Sequence, residues 1–182
     1  MRNKPSRRFL SLFSGCGGFD LGLVKAGFQC HLAIDNDEKA IQNHQHNIKS
    51  ATLVHDLTLP SDIIESATDI DILIAGPPCQ GFSTLGKRRV DDPRNRLLPL
   101  VSHYVESVRP KAVVVENVMG VLSGEHKIYW EQLRSALTLQ GYQSSVIECD
   151  VTGLGLPQTR RRVLMIGWNT RKSITFPNLA GS

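Results

Sequence analysis

Asp71-Ile72-Leu73-Ile74-Ala75-Gly76-Pro77-Pro78-Cys79-Gln80-Gly81-Phe82-Ser83 runs from a short apolar segment into a turn containing two glycines and two prolines. The apolar run reads as a buried strand. Proline locks φ and glycine tolerates conformations that other residues avoid, so the turn has a restricted shape. The thiol of Cys79 therefore sits just past the carboxyl end of a strand, the edge at which open α/β sheets bind ligands. That placement suits a nucleophile, and it equally suits a loop cysteine with no task.

On either side of this strand, apolar runs alternate with helical patterns. Strands are expected over residues 9–13, 28–34, 52–55, 70–75, 112–115, 143–149 and 163–167. Helices are expected over 19–26, 38–47, 97–108 and 130–139. Such alternation implies βαβ units and a mostly parallel sheet. No repeat, low-complexity tract or linker interrupts the pattern, and 182 residues suit one domain.

Bulk properties narrow the class. Apolar content of 41% and charged content of 21% are ordinary for a soluble globular protein. No apolar run approaches the ~20 residues that span a bilayer, and the basic start leads directly into a strand. Cys16, Cys30, Cys79 and Cys149 form no Cys-x-x-Cys pair, which argues against zinc and for reduced thiols in a cytosol. His44 and His46 read as a solvated helix face, so no metal is expected. Net charge is +4, and its placement matters more than its size. Lys87, Arg88, Arg89, Arg94 and Arg96 follow Cys79, and Arg160, Arg161 and Arg162 form a second cluster; together they point to nucleic acid.

Two further groups of residues suggest chemistry. Phe13-Ser14-Gly15-Cys16-Gly17-Gly18 joins the first strand to the first helix, a turn through which backbone approaches a ligand. Asp35 ends the second strand, where an acid accepts hydrogen bonds from ribose hydroxyls, and Asp56 follows the third. These indicate an adenosine-containing cofactor, with NAD still open. Glu116, at the end of the fifth strand, is placed to face Cys79, although a helix cap or ion-pair role is equally open. Alternation along Gln158-Thr159-Arg160-Arg161-Arg162 puts Arg160 and Arg162 on one face and Arg161 on the other.

The ordered motifs, Phe13 to Gly18, Gly76 to Ser83, Glu116-Asn117-Val118 and Gln158 to Arg162, closely resemble those of the C5-cytosine DNA methyltransferases. Asp92-Pro93-Arg94-Asn95-Arg96-Leu97 resembles another motif of the family. The resemblance implies an α/β, Rossmann-like class I fold with a mostly parallel seven-stranded sheet and one antiparallel strand. It implies S-adenosyl-L-methionine as cofactor, contacted by Phe13, Ser14, Gly15, Cys16, Gly17, Gly18, Asp35, Asn36, Asp56, Leu57, Gly76, Pro78 and Leu97. Asp35 would hold the ribose and Asp56 the adenine amino group. Cys79 would attack cytosine C6, Glu116 would stabilise N3, Arg162 would contact O2 and Arg160 would orient neighbouring groups. Gln80, Ser83, Lys87, Arg88, Arg89 and Arg94 would contact double-stranded DNA, from which the target base must be flipped. A bacterial cytoplasmic location follows from the same resemblance.

The family pattern continues past Ser182 with a target-recognition domain and a segment that completes the cofactor site. The expectation is either a shortened coding sequence, slightly favoured, or one subunit of a divided enzyme whose second polypeptide supplies the rest. A non-catalytic cofactor-binding module and an RNA cytosine methyltransferase are the alternative readings.

Overall fold

A computed structural model describes residues 7–78 and 93–169, with the side chains of Pro93 and Arg94 excepted. Cys79, Gln80, Ser83, Lys87, Arg88 and Arg89 lie outside the described residues, as does the side chain of Arg94.

In chain order the elements are β1 (Arg8–Leu12), α1 (Gly18–Lys25), β2 (Gln29–Asp35), α2 (Glu38–Ile48), β3 (Thr52–Val54), α3 (Asp62–Glu65), β4 (Ile72–Ala75), α4 (Leu97–Val108), β5 (Ala112–Val118), α5 (Lys127–Leu139), β6 (Gln143–Asp150) and β7 (Arg161–Trp168). They form one seven-stranded sheet in the order β3-β2-β1-β4-β5-β7-β6. β7 pairs antiparallel with both β5 and β6, so it is the single reversed strand in the sheet. The expected sheet is therefore found, with β5 and β7 longer than their apolar cores suggested. The four-residue α3 has no counterpart among the expected helices: it is too short to show a helical period.

Strand order reverses between β1 and β4, whose carboxyl ends lie side by side; the Gly76 amide donates to the Leu12 carbonyl at 3.3 Å. This is the switch point at which doubly wound sheets open a crevice.

The larger core lies on the face covered by α3, α4 and α5. There Leu10, Leu12, Leu73, Val113, Val115 and Met165 meet Ile64, Leu98, Val101, Trp130 and Leu133. The opposite face carries α1 and α2 over a small cluster of Phe9, Cys30, Ala33 and Ile74. Farther along that face Val114, Leu164, Ile166 and Ile147 share a side by register and are only half-buried.

Asp71 ties three strands together at the amino ends of the sheet. Its Oδ2 accepts the Arg8 amide at 2.8 Å and its Oδ1 accepts Lys111 Nζ at 2.6 Å. The hydrogen bond from Lys111, with help from the Arg8 amide, holds the Asp71 carboxyl below its ordinary value of 3.8. A depressed folded value gives stability that is complete above the unfolded value and lost as pH falls through the folded one. Asp71→Asn is thus expected to lower the melting temperature by about 2–4 °C near neutrality, for ~1 kcal/mol. In acid, below both values, thermal melts of the two proteins should converge; a constant gap across pH would show that the charge contributes nothing.

Candidate active site

β1 ends at Leu12 because Phe13 turns into a left-handed conformation (φ 54°), rare for an aromatic residue and costly unless its surroundings hold it. The turn is then pinned from β2. Ser14 donates its amide to the Ile34 carbonyl at 2.9 Å, and the Gly15 amide donates to Asp35 Oδ2 at 2.8 Å. Asp35 Oδ1 also accepts the Asp37 amide at 3.0 Å. Asp37 in turn caps α2 by accepting from the Lys39 and Ala40 amides. The carboxylate expected to bind a ribose therefore also organises the glycine turn, and unused lone pairs remain on its oxygens.

A cavity of about 470 Å³ opens above this turn, lined by Phe13, Gly15, Asp35, Asn36, His55, Asp56, Leu57, Thr58, Gly76, Pro78 and Leu97. Its far wall is a second turn, in which Asp56 Oδ1 accepts the Thr58 amide at 2.9 Å and the Thr58 hydroxyl at 2.8 Å. These two bonds hold the Asp56 carboxyl below the usual range. Tyr104, on α4, donates its hydroxyl to the Leu57 carbonyl at 2.7 Å and so fixes that wall to the core. The polar ends, Asp35 and Asp56, flank an apolar floor that includes the buried Leu57. A nucleoside fits this set: carboxylates for hydroxyl and amino donors, and apolar surface for a flat ring. A side chain on Gly15 would project into open space within 4 Å, as expected for backbone lining a ligand cradle. His55 and Thr58 line the same cavity without having been expected there; their only sequence signal is adjacency to Asp56.

Glycine-turn residues divide between four environments, Phe13 and Gly15 lining the first cavity. Ser14 and Gly18 line a second cavity of about 420 Å³. Cys16 is exposed and lines neither cavity. Gly17 packs inward, where a Cβ would come within 2.7 Å of His44 Cδ2. Of the expected cofactor residues, Cys16 and Gly17 are thus the two that the geometry leaves outside both cavities.

The second cavity shares Phe13 and Gly76 with the first, and Glu116, Arg160, Arg162, Leu164 and Cys149 also line it. The antiparallel register sets Val118 opposite Arg162 and Glu116 opposite Leu164, so Glu116 and Arg162 project from the same face. Arg162 Nε lies 2.7 Å from Glu116 Oε1, and Arg160 reaches the same oxygen at 3.7 Å. Arg161 points the other way and pairs with Glu148 at 3.1 Å. The expected division of the three arginines is therefore found. Asn117, buried on the opposite side of β5, donates to the Pro77 carbonyl at 3.4 Å and steadies the chain one residue before Pro78. Pro78 lines the first cavity, one peptide unit before Cys79.

His44 departs from expectation. It is fully buried, with Nε2 2.7 Å from Asp20 Oδ2, whereas His46 is exposed. Ile41, His44 and Ile48 stand at i, i+3 and i+7, a spacing that places all three on the core face of α2.

The sequence pattern of C-5 cytosine-specific DNA methylases matches residues 7–180. The chain belongs to that family. Its relatives include the type II methyltransferase M.DdeI of Desulfomicrobium norvegicum, 38% identical over 164 residues, covering 87% of this chain and 40% of that protein. M.AquIA of Picosynechococcus is 32% identical over 187 residues, covering 94% of this chain and 75% of that protein. Among solved structures, a DNA modification methyltransferase encoded within an E. coli prophage superimposes with a TM-score of 0.79 at 31% identity, over 90% of this chain and 47% of that one. The chain thus spans less than half the length of M.DdeI and of the prophage enzyme, and three quarters of M.AquIA. The strand order β3-β2-β1-β4-β5-β7-β6 is what brings Gly15, Asp35 and Glu116 to one edge of the sheet. No helix of the described residues is long and apolar enough to cross a membrane.

Proposed function

We propose that this chain is the donor-binding and catalytic part of an enzyme that methylates C5 of a cytosine flipped out of double-stranded DNA. The observation that carries the reading is a pair of neighbouring cavities that share Phe13 and Gly76 in their walls: one lined by Asp35 and Asp56, the other by Glu116, Arg160 and Arg162.

In this scheme Asp35, Asp56, Leu57 and the Gly15 backbone hold S-adenosyl-L-methionine, which when bound supplies an electrophilic methyl group. Asn36, Pro78 and Leu97 complete the contacts. Cytosine C5 is a poor nucleophile. The Cys79 thiolate forms a bond to C6, the C5–C6 π electrons become available at C5, and the charge that builds on the ring is met at N3 by a proton shared with Glu116. Arg162 contacts the ring O2 and Arg160 steadies Glu116, so the carboxylate and two guanidiniums form a fixed electrostatic frame. Once C5 carries the methyl group, loss of its proton to solvent returns the electrons to the ring and the sulfur–C6 bond breaks, restoring the thiolate. Lys87, Arg88, Arg89 and Arg94, with Gln80 and Ser83, would contact the DNA.

We further propose that activity needs a part beyond these residues, either the continuation of a longer chain or a second polypeptide. The half-buried stripe of Val114, Leu164, Ile166 and Ile147 and the chain's short span relative to M.DdeI support this. The test is transfer of labelled methyl groups to duplex DNA by the 182-residue chain, alone and with the C-terminal portion of a longer relative. Little transfer alone and recovery on mixing are expected. Full activity alone would overturn the dependence, and failure in every mixture would count against catalysis.

A further inference from the structure

Beneath the glycine turn runs a polar chain that the scheme above leaves unused. Ser11 Oγ, on β1, donates to Asp20 Oδ1 at 2.7 Å, and His44 Nε2, on α2, stands 2.7 Å from Asp20 Oδ2. Asp20 and His44 are wholly buried and Ser11 nearly so. A carboxylate is costly to bury unless its oxygens are paired, and here both are. The Sγ of Cys30 completes a cluster of three potential ligands within 4.8 Å of one another. Two ligands on a tetrahedral zinc ion stand ~3.3 Å apart, given bonds of about 2.0–2.1 Å. At 2.7 Å the imidazole and carboxylate instead share a hydrogen bond. Burial also pushes the Cys30 thiol up to about 11, away from the thiolate a metal would take.

The same imidazole backs the turn directly. Gly17, the N-cap of α1, is left-handed (φ 86°) and has no side-chain cap. A Cβ there would lie 2.7 Å from His44 Cδ2 and 2.6 Å from Ile48 Cδ1. On the other side, Cβ atoms at Gly15 and Gly18 would meet nothing within 4 Å. The turn is therefore supported from below by α2 and open above. α2 is also capped by Asp37, whose amide donates to Asp35, so one capped helix backs Gly17 and steadies the carboxylate that grips Gly15.

We propose that Asp20 and His44 are positioning residues for the donor-binding turn, holding it in place through a hydrogen bond that never touches the donor. This rests on the donor site proposed above.

The test uses the full chain and three variants. His44→Phe keeps a ring and removes the hydrogen bond; His44→Gln restores a donor near Nε2; Leu137→Ala opens the core on the opposite face as a stability control. Hydrogen exchange of the Gly15 and Gly17 amides and calorimetric affinity for S-adenosyl-L-methionine are measured for each. In His44→Phe, exchange should quicken and affinity fall by about tenfold or more, the size expected for a lost charge-assisted hydrogen bond. His44→Gln should recover most of both. Leu137→Ala, at a matched loss of melting temperature, should leave both unchanged. Should His44→Phe alone not fold because Asp20 is left buried without its partner, the double variant His44→Phe/Asp20→Leu removes that charge and carries the same expectations. Equal effects in Leu137→Ala, no effect in His44→Phe, or no recovery in His44→Gln would each overturn the proposal. A wild-type chain that does not bind the donor would count against the donor site alone, since the exchange measurements still decide the positioning role.

Discussion

Cys79→Ser is expected to abolish the covalent complex that the completed enzyme forms with duplex DNA carrying 5-fluorocytosine at the target base. Fluorine at C5 cannot leave as the proton does, so the sulfur–C6 bond persists and appears as a protein–DNA band that survives denaturant. A serine hydroxyl is a far weaker nucleophile than a thiolate near neutral pH, and methyl transfer should fall by several orders of magnitude. Cys149 is the informative control. It lines the cavity of Glu116, Arg160 and Arg162 and is buried and free. Cys149→Ser should leave the trapped complex in place. If the complex persists in Cys79→Ser and disappears in Cys149→Ser, the nucleophile has been misassigned and the chemistry belongs to β6.

Asp35→Ala should weaken binding of S-adenosyl-L-methionine by roughly 30–1000-fold, corresponding to about 2–4 kcal/mol. The substitution does more than remove a contact to the donor. It leaves the Gly15 and Asp37 amides without their acceptor, so the glycine turn and the start of α2 lose a common anchor. Asp35→Asn keeps one carbonyl oxygen and should lose about tenfold, since only one of the two amides can still be served. Calorimetry on the free chain separates these values, and thermal melts check that the fold survives. An affinity unchanged in Asp35→Ala would remove Asp35 from the donor site and with it the assignment of the 470 Å³ cavity.

Much of this is legible in the sequence. The motif order pointed to the family, and the strand–helix alternation to the sheet. α4 was read at its observed bounds because Leu98, Val101, Tyr104, Val105 and Val108 mark one helical face. β5 was read short, since Glu116 and Asn117 break the apolar run; the antiparallel partner β7 extends it, pairing Val118 with Arg162. His44 looks solvated by residue type alone, yet its place between Ile41 and Ile48 on the core face of α2 carries the better signal. Phe13 stands out as an expected cofactor contact, but nothing local announces its left-handed backbone.

Which chemical groups this protein has, and at which strand ends they fall, is legible along the chain, because alternation and turn residues act over a few positions. Their partnerships arise only once the chain is folded. Asp35 grips the Gly15 amide, Glu116 takes both Arg162 and Arg160, and His44 closes on Asp20. Each of these contacts joins residues at least 20 positions apart, and no local rule specifies them. They follow from the order in which strands pair and from the face on which each helix docks, which are set by burying the whole apolar surface at once.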